Sequence, residues 1–508
     1  MYVHGASTFD VVATPAARNS PNDKSVVYNG LASFEKDGDT HEYSLVDGTA
    51  YYTRHPGGKN TAVTPESSCL PSDSMPPIGT VLNAIHGAQT ATQRVGSSDS
   101  RCPGGSVMAF PFAGENFVLC SQNSGMMSGL SSLLGLSSSA DAGFKIFGSD
   151  LDIHVKYEPS APVILAPRVD PLTVASCGKV PSPDMIVPSV SSLVQRSFSE
   201  WGHRALRAEG IFDDAWDLIS DTTCGCKGAQ RTCVFVAGLS SYDDYGLTDE
   251  DPEDYFGEEI RDHAPCCSSI KYITLATKNN FWNDLAFQQR FVDLLLQASG
   301  TSDVATGTVK DTIVIAHSMG NLILASAIAG GKCNLDPSSS WVAASSPMEG
   351  SMGSNYVQGS CDGSISGAVA SLMELLGDCP ATTGEISLAY QNSNYSNVAL
   401  NDAYVAAQAA YVANVDAVMC SNSYSGLVTV KAALYALAGG VLPHKSPEND
   451  GIVEYGSCAF GLDLNKFDST HESPFYRTEL NHVDTSFRNG DGVFGDGKKP
   501  MKWFECLL

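Results

Sequence analysis

The sequence predicts an α/β fold, a doubly wound and mainly parallel sheet, preceded by a β-rich N-terminal domain. Three observations carry this. From Cys233 onward, short apolar runs alternate with helical segments, the rhythm of a parallel sheet and its crossover helices. Before about residue 158, the chain repeats short runs of near-alternating polarity, divided by Asp-Gly and Gly-rich turns, as an antiparallel meander does. Between the two, prolines recur at 159, 162, 167, 171, 181, 183 and 188, which neither a helix nor a central strand tolerates. The expected domains are residues 1–158, a Pro-rich linker over 159–190, and 191–508.

The first strands are expected at 25–30, 31–36, 41–46 and 49–54, with later ones at 106–110, 116–120 and 150–157. Residues 126–140 are rich in Gly, Ser and Leu and read as a loop or a weak helix. Cys69, Cys102 and Cys120 are expected to tie this domain internally. Over 191–221 the spacing of Leu193, Phe198, Trp201, Leu206, Ile211 and Trp216 predicts one or two amphipathic helices.

In the α/β part, strands are expected at 233–238, 272–276, 312–316, 341–345, 417–420 and 475–480. Phe287, Phe291, Leu294, Leu295 and Ala298 fall on one helical face. Between 351 and 440 there is more chain than one crossover needs. A cap insertion is expected at about 352–440, with Ala/Leu-rich helices over 364–377 and 401–415.

Composition narrows the function classes. The 508 residues are long enough for a large core, and a hydrophobic content of 43% with 17% charged residues describes a globular chain. With 56 acidic against 30 basic residues, a net charge of −26, nucleic acid is not an expected partner. No apolar run is long enough to span a membrane. The acidic run over 242–262 reads as a solvated loop, with a calcium site as the alternative, although EF-hand spacing is lacking. Fifteen cysteines without paired Cys-x-x-Cys motifs fit disulfides and an oxidising compartment rather than zinc, and their odd number leaves a thiol unpaired. Asn394-Tyr395-Ser396 is an N-glycosylation sequon. The start, Met1-Tyr2-Val3-His4, carries no apolar signal core, so export implies a signal peptide already removed. No metal or cofactor site is expected.

Thr312 to Ala316 is short, apolar and β-branched, and reads as a strand buried on both faces. Leu322 to Gly331 is apolar nearly all round and ends on two glycines, as a buried helix does. Only His317-Ser318-Met319-Gly320 is left to make the turn. So abrupt a reversal pushes one side chain outward and requires small residues two before and two after it. Ala316 and Gly320 satisfy that requirement. The stretch resembles the nucleophile elbow of the α/β-hydrolase family, with Ser318 as nucleophile.

That resemblance implies a triad in the chain order serine, acid, histidine. Asn449-Asp450-Gly451-Ile452-Val453 is similar to the Asp-Gly-x-Val segment of lipases and implies Asp450 as the acid. Leu480-Asn481-His482 follows the last expected strand and resembles the loop carrying the family's histidine. His471 precedes that strand, His444 precedes the acid, and Asp484 sits too close to His482 in sequence to serve it from a separate strand end. The oxyanion of an acyl-transfer intermediate needs two N–H donors. Met319 N–H is one by geometry. The resemblance implies Leu239 N–H as the other, although Ala237-Gly238 stands where relatives begin His-Gly.

The resemblance spans roughly 230–508 and is similar to lipases and to the lecithin–cholesterol acyltransferase and inositol-deacylase groups. It implies a secreted serine hydrolase acting on carboxylic esters, lipid esters foremost, with lipid-surface contact as a further expectation. Acyl transfer by the same triad, or ligand binding on a hydrolase scaffold that has lost its chemistry, are the alternatives.

Overall fold

The computed structural model describes residues 8–15, 28–36, 38–59, 61, 63–70, 89–90, 106–112, 115–121, 143–148, 152–156, 162–169, 177–180, 224–361, 379–427, 429, 432–492 and 496–508. The helices expected over 191–221 and 364–377, and the stretch 126–140, lie outside these. The chain divides into two compact units, Val3–Thr223 and Cys224–Leu508.

The first unit holds two antiparallel sheets. One is a meander of β1 (Val11–Pro15), β2 (Tyr28–Lys36), β3 (Asp39–Val46), β4 (Thr49–His55) and β5 (Glu66–Cys69), each paired with the next. Asp47 and Gly48 both take positive φ, 49° and 77°, in the two-residue turn between β3 and β4, where their backbone twist matches that of the strands. The runs 25–30 and 31–36 were expected as two strands. The structure has one, because Gly30 pairs in register with Leu45 and does not interrupt the ladder. The other sheet runs β10-β9-β8-β7-β6, from β6 (Gln89–Thr90) through β7 (Ser106–Phe112), β8 (Glu115–Ser121) and β9 (Gly143–Phe147) to β10 (Asp152–Lys156). Cys69 pairs with Cys177, outside the 1–158 boundary. Val180 is buried and donates its N–H to Gly48 O at 2.7 Å, so this part of the Pro-rich stretch is stitched to the first sheet.

The second unit is built on a seven-stranded sheet ordered β12-β13-β11-β15-β17-β18-β19. Its strands are β11 (Arg231–Val236), β12 (Gly246–Thr248), β13 (Cys267–Thr274), β15 (Thr312–His317), β17 (Ser340–Ala344), β18 (Ala417–Ser421) and β19 (Phe475–Thr478). All pairings are parallel except that of edge strand β12. β12 lies inside the acidic run expected to be wholly loop. Three residues are too short for alternation to show. A separate parallel pair joins β14 (Thr308–Val309) to β16 (Asn334–Leu335).

The central strands feed two cores by alternation. Val234, Val236, Val314, Ala316, Trp341 and Ala343 face one core, which is closed by α1 (Leu285–Ala298), α2 (Met319–Ala329) and α5 (Val398–Asn414). Cys233, Phe235, Ile313, Ile315, Val342 and Ala344 face the other, with Trp503 and Phe504 of α8 (Pro500–Leu507). Helices α3 (Met352–Ser360), α4 (Thr383–Ser387), α6 (Ala432–Val441) and α7 (Tyr455–Cys458) stand among the loops. Asp284 caps α1 by accepting N–H bonds from Ala286 and Phe287.

α5 covers almost all of 401–415, expected as part of the cap. It packs instead as a crossover helix: Leu400, Tyr404, Ala407 and Tyr411 are buried in the first core. Ala/Leu richness suits either role, because an apolar helix buries against whatever surface the topology offers.

The chain runs outward from β11 to β13, then returns to the other side of β11 as β15. The strand order reverses between β11 and β15, and loops leaving their C-terminal ends diverge there to leave a crevice. Gly238 and Ser318 follow those two ends.

Candidate active site

Ser318 sits between β15 and α2 at φ 53°, ψ −129°. A non-glycine residue rarely holds that conformation, and doing so costs on the order of 1–3 kcal/mol. The surroundings enforce it. A Cβ on Gly320 would lie 2.8 Å from Val236 O and 3.0 Å from Ala237 O, so only glycine lets α2 start against β11. Asn321, buried, donates through Nδ2 to Ala316 O (2.9 Å), Ser318 O (3.3 Å) and Ala344 O (3.1 Å), while its Oδ1 accepts from Trp341 Nε1 (3.1 Å). This side chain fastens the turn to two neighbouring strands. The sequence does carry a trace of it, an amide in the first turn of a mostly apolar helix.

Ser318 Oγ lies 2.9 Å from His482 Nε2, and His482 Nδ1 lies 2.8 Å from Asp450 Oδ2. A carboxylate only accepts, so Nδ1 carries the proton and Nε2 is left to accept from the serine hydroxyl. Asp450 Oδ1 accepts the N–H of Ile452 (2.9 Å) and of Val453 (2.7 Å). Burial alone would raise the Asp450 carboxyl; the His482 charge and hydrogen bond, with the two N–H donors, outweigh it and hold the group below its ordinary value. Cys420 of β18 is disulfide-bonded to Cys458, which anchors the segment just beyond Val453 to the sheet.

The other candidates stand elsewhere. Asp484 turns its carboxylate to Leu427 N–H (2.7 Å) and Asn489 Nδ2 (2.7 Å). His444 pairs with Glu454 through Nδ1 at 3.0 Å. His471 precedes β19 and therefore lies at the opposite end of the parallel sheet from Ser318.

Behind His482 runs a second network. His317 Nε2 donates to His482 O (3.0 Å), and the Thr485 hydroxyl donates to the same carbonyl (2.8 Å). His317 Nδ1 therefore accepts from the Tyr255 hydroxyl, 2.6 Å away. Burial, then the charge on His482, pushes the His317 pKa well below its ordinary value, so it stays neutral while His482 gains a proton. Tyr255 and Thr485 carry no motif that marks them in sequence.

Met319 opens α2, where N–H groups have no intrahelical acceptor. Leu239 follows Gly238 in the loop after β11, which is tied down by Ser240 N–H on Thr277 Oγ1 (3.0 Å). Neither the Met319 nor the Leu239 N–H donates to any group among the described residues. A cleft opens over Ser318 and His482. Leu239, Leu388, Ile452 and Val483 give it apolar walls, and Ser354, Tyr435 and Arg488 polar ones. Among the described residues, no cluster of three or more His, Cys, Asp or Glu could hold a metal ion.

No protein-family model and no curated protein sequence matches this chain. Among solved structures, it is similar to haloalkane dehalogenase DbeA from Bradyrhizobium elkani, at 12% identity over 42% of this chain and 80% of that one, with a TM-score of 0.25. It is also similar to the lipase of Staphylococcus hyicus, at 12% identity over 55% of this chain and 94% of that one, with a TM-score of 0.30. The functional reading rests on the geometry around Ser318.

Proposed function

We propose that this chain is a serine hydrolase of the α/β-hydrolase kind that cleaves carboxylic esters through an acyl-enzyme on Ser318. The observation that carries the reading is the hydrogen-bonded sequence Ser318–His482–Asp450 set on a strained strand-to-helix turn. A serine hydroxyl is a poor nucleophile until a base takes its proton. His482 Nε2 is placed to take it as Oγ attacks the ester carbonyl. Asp450 fixes the imidazole tautomer and stabilises the imidazolium. The tetrahedral oxyanion is received by the Met319 and Leu239 N–H groups, aided by the N-terminal end of α2. His482 then returns the proton to the leaving alcohol, and water, activated the same way, releases the acid. The backbone strain at Ser318 supports a role in chemistry, because such conformations gather where function needs them.

Disulfides Cys69–Cys177, Cys224–Cys506, Cys226–Cys266, Cys233–Cys267, Cys361–Cys379 and Cys420–Cys458 support maturation in an oxidising compartment and thus secretion. No helix among the described residues is long and apolar enough to cross a membrane.

The test is labelling with a fluorophosphonate, mapped to Ser318 by peptide mass and abolished in Ser318→Ala, followed by turnover of neutral esters from acetate to long-chain lipid esters. A native chain that neither labels nor turns over any ester overturns the reading in favour of ligand binding on a hydrolase scaffold.

A further inference from the structure

Two of the polar groups that line the cleft, Tyr435 and Arg488, are donors that the reaction above leaves unused. Tyr435 of α6 is only 8% exposed, lines the cleft beside Ser318 and His482, and has a hydroxyl with no hydrogen-bond partner among the described residues. Its ring is seated against the acid turn. A Cβ on Gly451, the residue after Asp450, would lie 3.1 Å from Tyr435 Cδ1, and Gly451 holds φ 95°. Burial, then the Asp450 and Asp484 carboxylates, push the phenol pKa up, so the group is a donor.

Arg488 is the second group. Its Nη2 donates to Glu253 O at 2.9 Å and its Nε to Asp254 O. Backbone carbonyls orient the guanidinium, and its charge acts on the Asp251 carboxyl, but among the described residues Arg488 forms no ion pair. Asp251 accepts the Phe256 N–H (2.7 Å) through Oδ2 while its Oδ1 has no hydrogen-bond partner among the described residues, Asp450 holds His482, and Glu385, which also lines the cleft, accepts the Thr382 N–H (2.7 Å) in a capping box. Arg488 Nη1 has no hydrogen-bond partner among the described residues, and a guanidinium only donates.

Two donors, one of them cationic, face one cleft. A carboxylate is the group that satisfies both, accepting from a guanidinium edge and a phenol at once. We propose that Arg488 and Tyr435 form a subsite for a carboxylate on the substrate, so that Ser318 acts on esters carrying an anionic group in preference to neutral esters of equal length. The inference rests on the ester hydrolysis proposed above and names its substrate class. The chain's charge of −26 opposes anions at a distance, but salt screens that field beyond about 8 Å at 0.15 M, whereas Arg488 acts at contact.

The experiment compares matched p-nitrophenyl esters, the monoglutarate against the valerate and the monoadipate against the hexanoate. For one of the two pairs, the native kcat/KM ratio of anionic to neutral ester should be about tenfold or more, the discrimination available to a site built for a polar group. Arg488→Gln should lower that ratio about tenfold or more, Arg488→Lys should keep part of it, and Tyr435→Phe should lower it several-fold. A native ratio at or below one in both pairs, with the neutral esters turned over, overturns the subsite and leaves ester hydrolysis standing. So does a ratio that Arg488→Gln leaves where it was. Absence of turnover with every ester and of Ser318 labelling overturns both readings. Should Arg488→Gln fail to fold, the native protein still decides: free glutarate should inhibit valerate hydrolysis competitively at about tenfold lower concentration than glutaramide, and equal inhibition overturns the proposal.

Discussion

Asp450 holds His482 twice. Its carboxylate Oδ2 lies 2.8 Å from His482 Nδ1, and its backbone carbonyl accepts the His482 N–H at 2.9 Å. The acid turn and the histidine loop therefore share a main-chain and a side-chain bond, and the loop cannot move away from Asp450 without breaking both. Positioning of this kind turns proton transfer from a chance encounter into a step with its geometry already set.

The first prediction separates the two histidines that follow the acid. His482→Ala should lower kcat by about 10³-fold or more, as lesions in such a unit do, whereas His471→Ala should stay within about twofold of the native rate. Steady-state kinetics on the best short-chain ester would read both. A severe loss in the His471 variant with an active His482 variant would remove His482 from the mechanism.

Gly238 tests the elbow itself. A Cβ there would lie 2.8 Å from Ser318 Cβ and 2.7 Å from Tyr255 Oη, contacts that real side chains do not make. Gly238→Ala should displace the nucleophile or the loop carrying Leu239, and lower the rate of fluorophosphonate labelling by about 10²-fold, since a misplacement near 1 Å costs that much. Labelling at the native rate would show that the loop yields without moving the reacting groups.

Asp484 gives a prediction in pH. Burial pushes its carboxyl up to about 6, against about 3.9 in an unfolded chain. The folded state therefore binds the extra proton between those values, and stability falls as pH rises from about 4 to about 6, by about 3 kcal/mol in all, and is level above. Thermal midpoints of the native chain and of Asp484→Asn, compared at pH 4 and pH 7, should show the native chain losing more. Parallel midpoints would mean that the carboxyl ionises as an ordinary surface group.

What the sequence made legible follows from how local each signal is. The strand, turn and helix around Ser318 are written in consecutive residues, since burial on both faces forces an unbroken apolar run in β15 and close backbone packing forces a glycine at 320. Asp450 and His482 could be named because each sits in a short local motif, Asp450 in an Asp-Gly turn and His482 in the loop just after β19. Arg488, Tyr435, Tyr255 and Thr485 could not, because their places in the cleft arise from chain segments far apart in sequence, and each alone is an ordinary polar residue. β12 was invisible for another reason: its three residues pair only because β13 offers an edge. Cys69 pairs across a 108-residue separation, and nothing in its spacing says so.

The cysteines yield the fourth prediction. Cys333 is the free cysteine among the described residues, is buried, and burial pushes its thiol up to about 12. Native protein should resist alkylation, since the thiolate is the reactive form. Under denaturing, non-reducing conditions a single thiol should label, mapping to Cys333. Labelling of Cys224 or Cys226 would break the pairs with Cys506 and Cys266 and count against an oxidising compartment.

The last prediction concerns 401–415, which composition assigns to a cap and packing assigns to the core. Tyr404 is fully buried, with its ring 4.9 Å from that of Trp282, and Gln408 Nε2 donates to Met348 O at 2.8 Å in the loop after β17. A helix fixed so cannot lift from the cleft without exposing the side chains that close over α2. Tyr404→Ala should therefore destabilise the second unit by about 3–5 kcal/mol through the cavity it leaves, visible as a lowered thermal midpoint. If α5 were instead a cap that opens, the same change would leave the midpoint near its native value and alter turnover of aggregated long-chain esters relative to soluble short-chain ones. That outcome would return 401–415 to the cap.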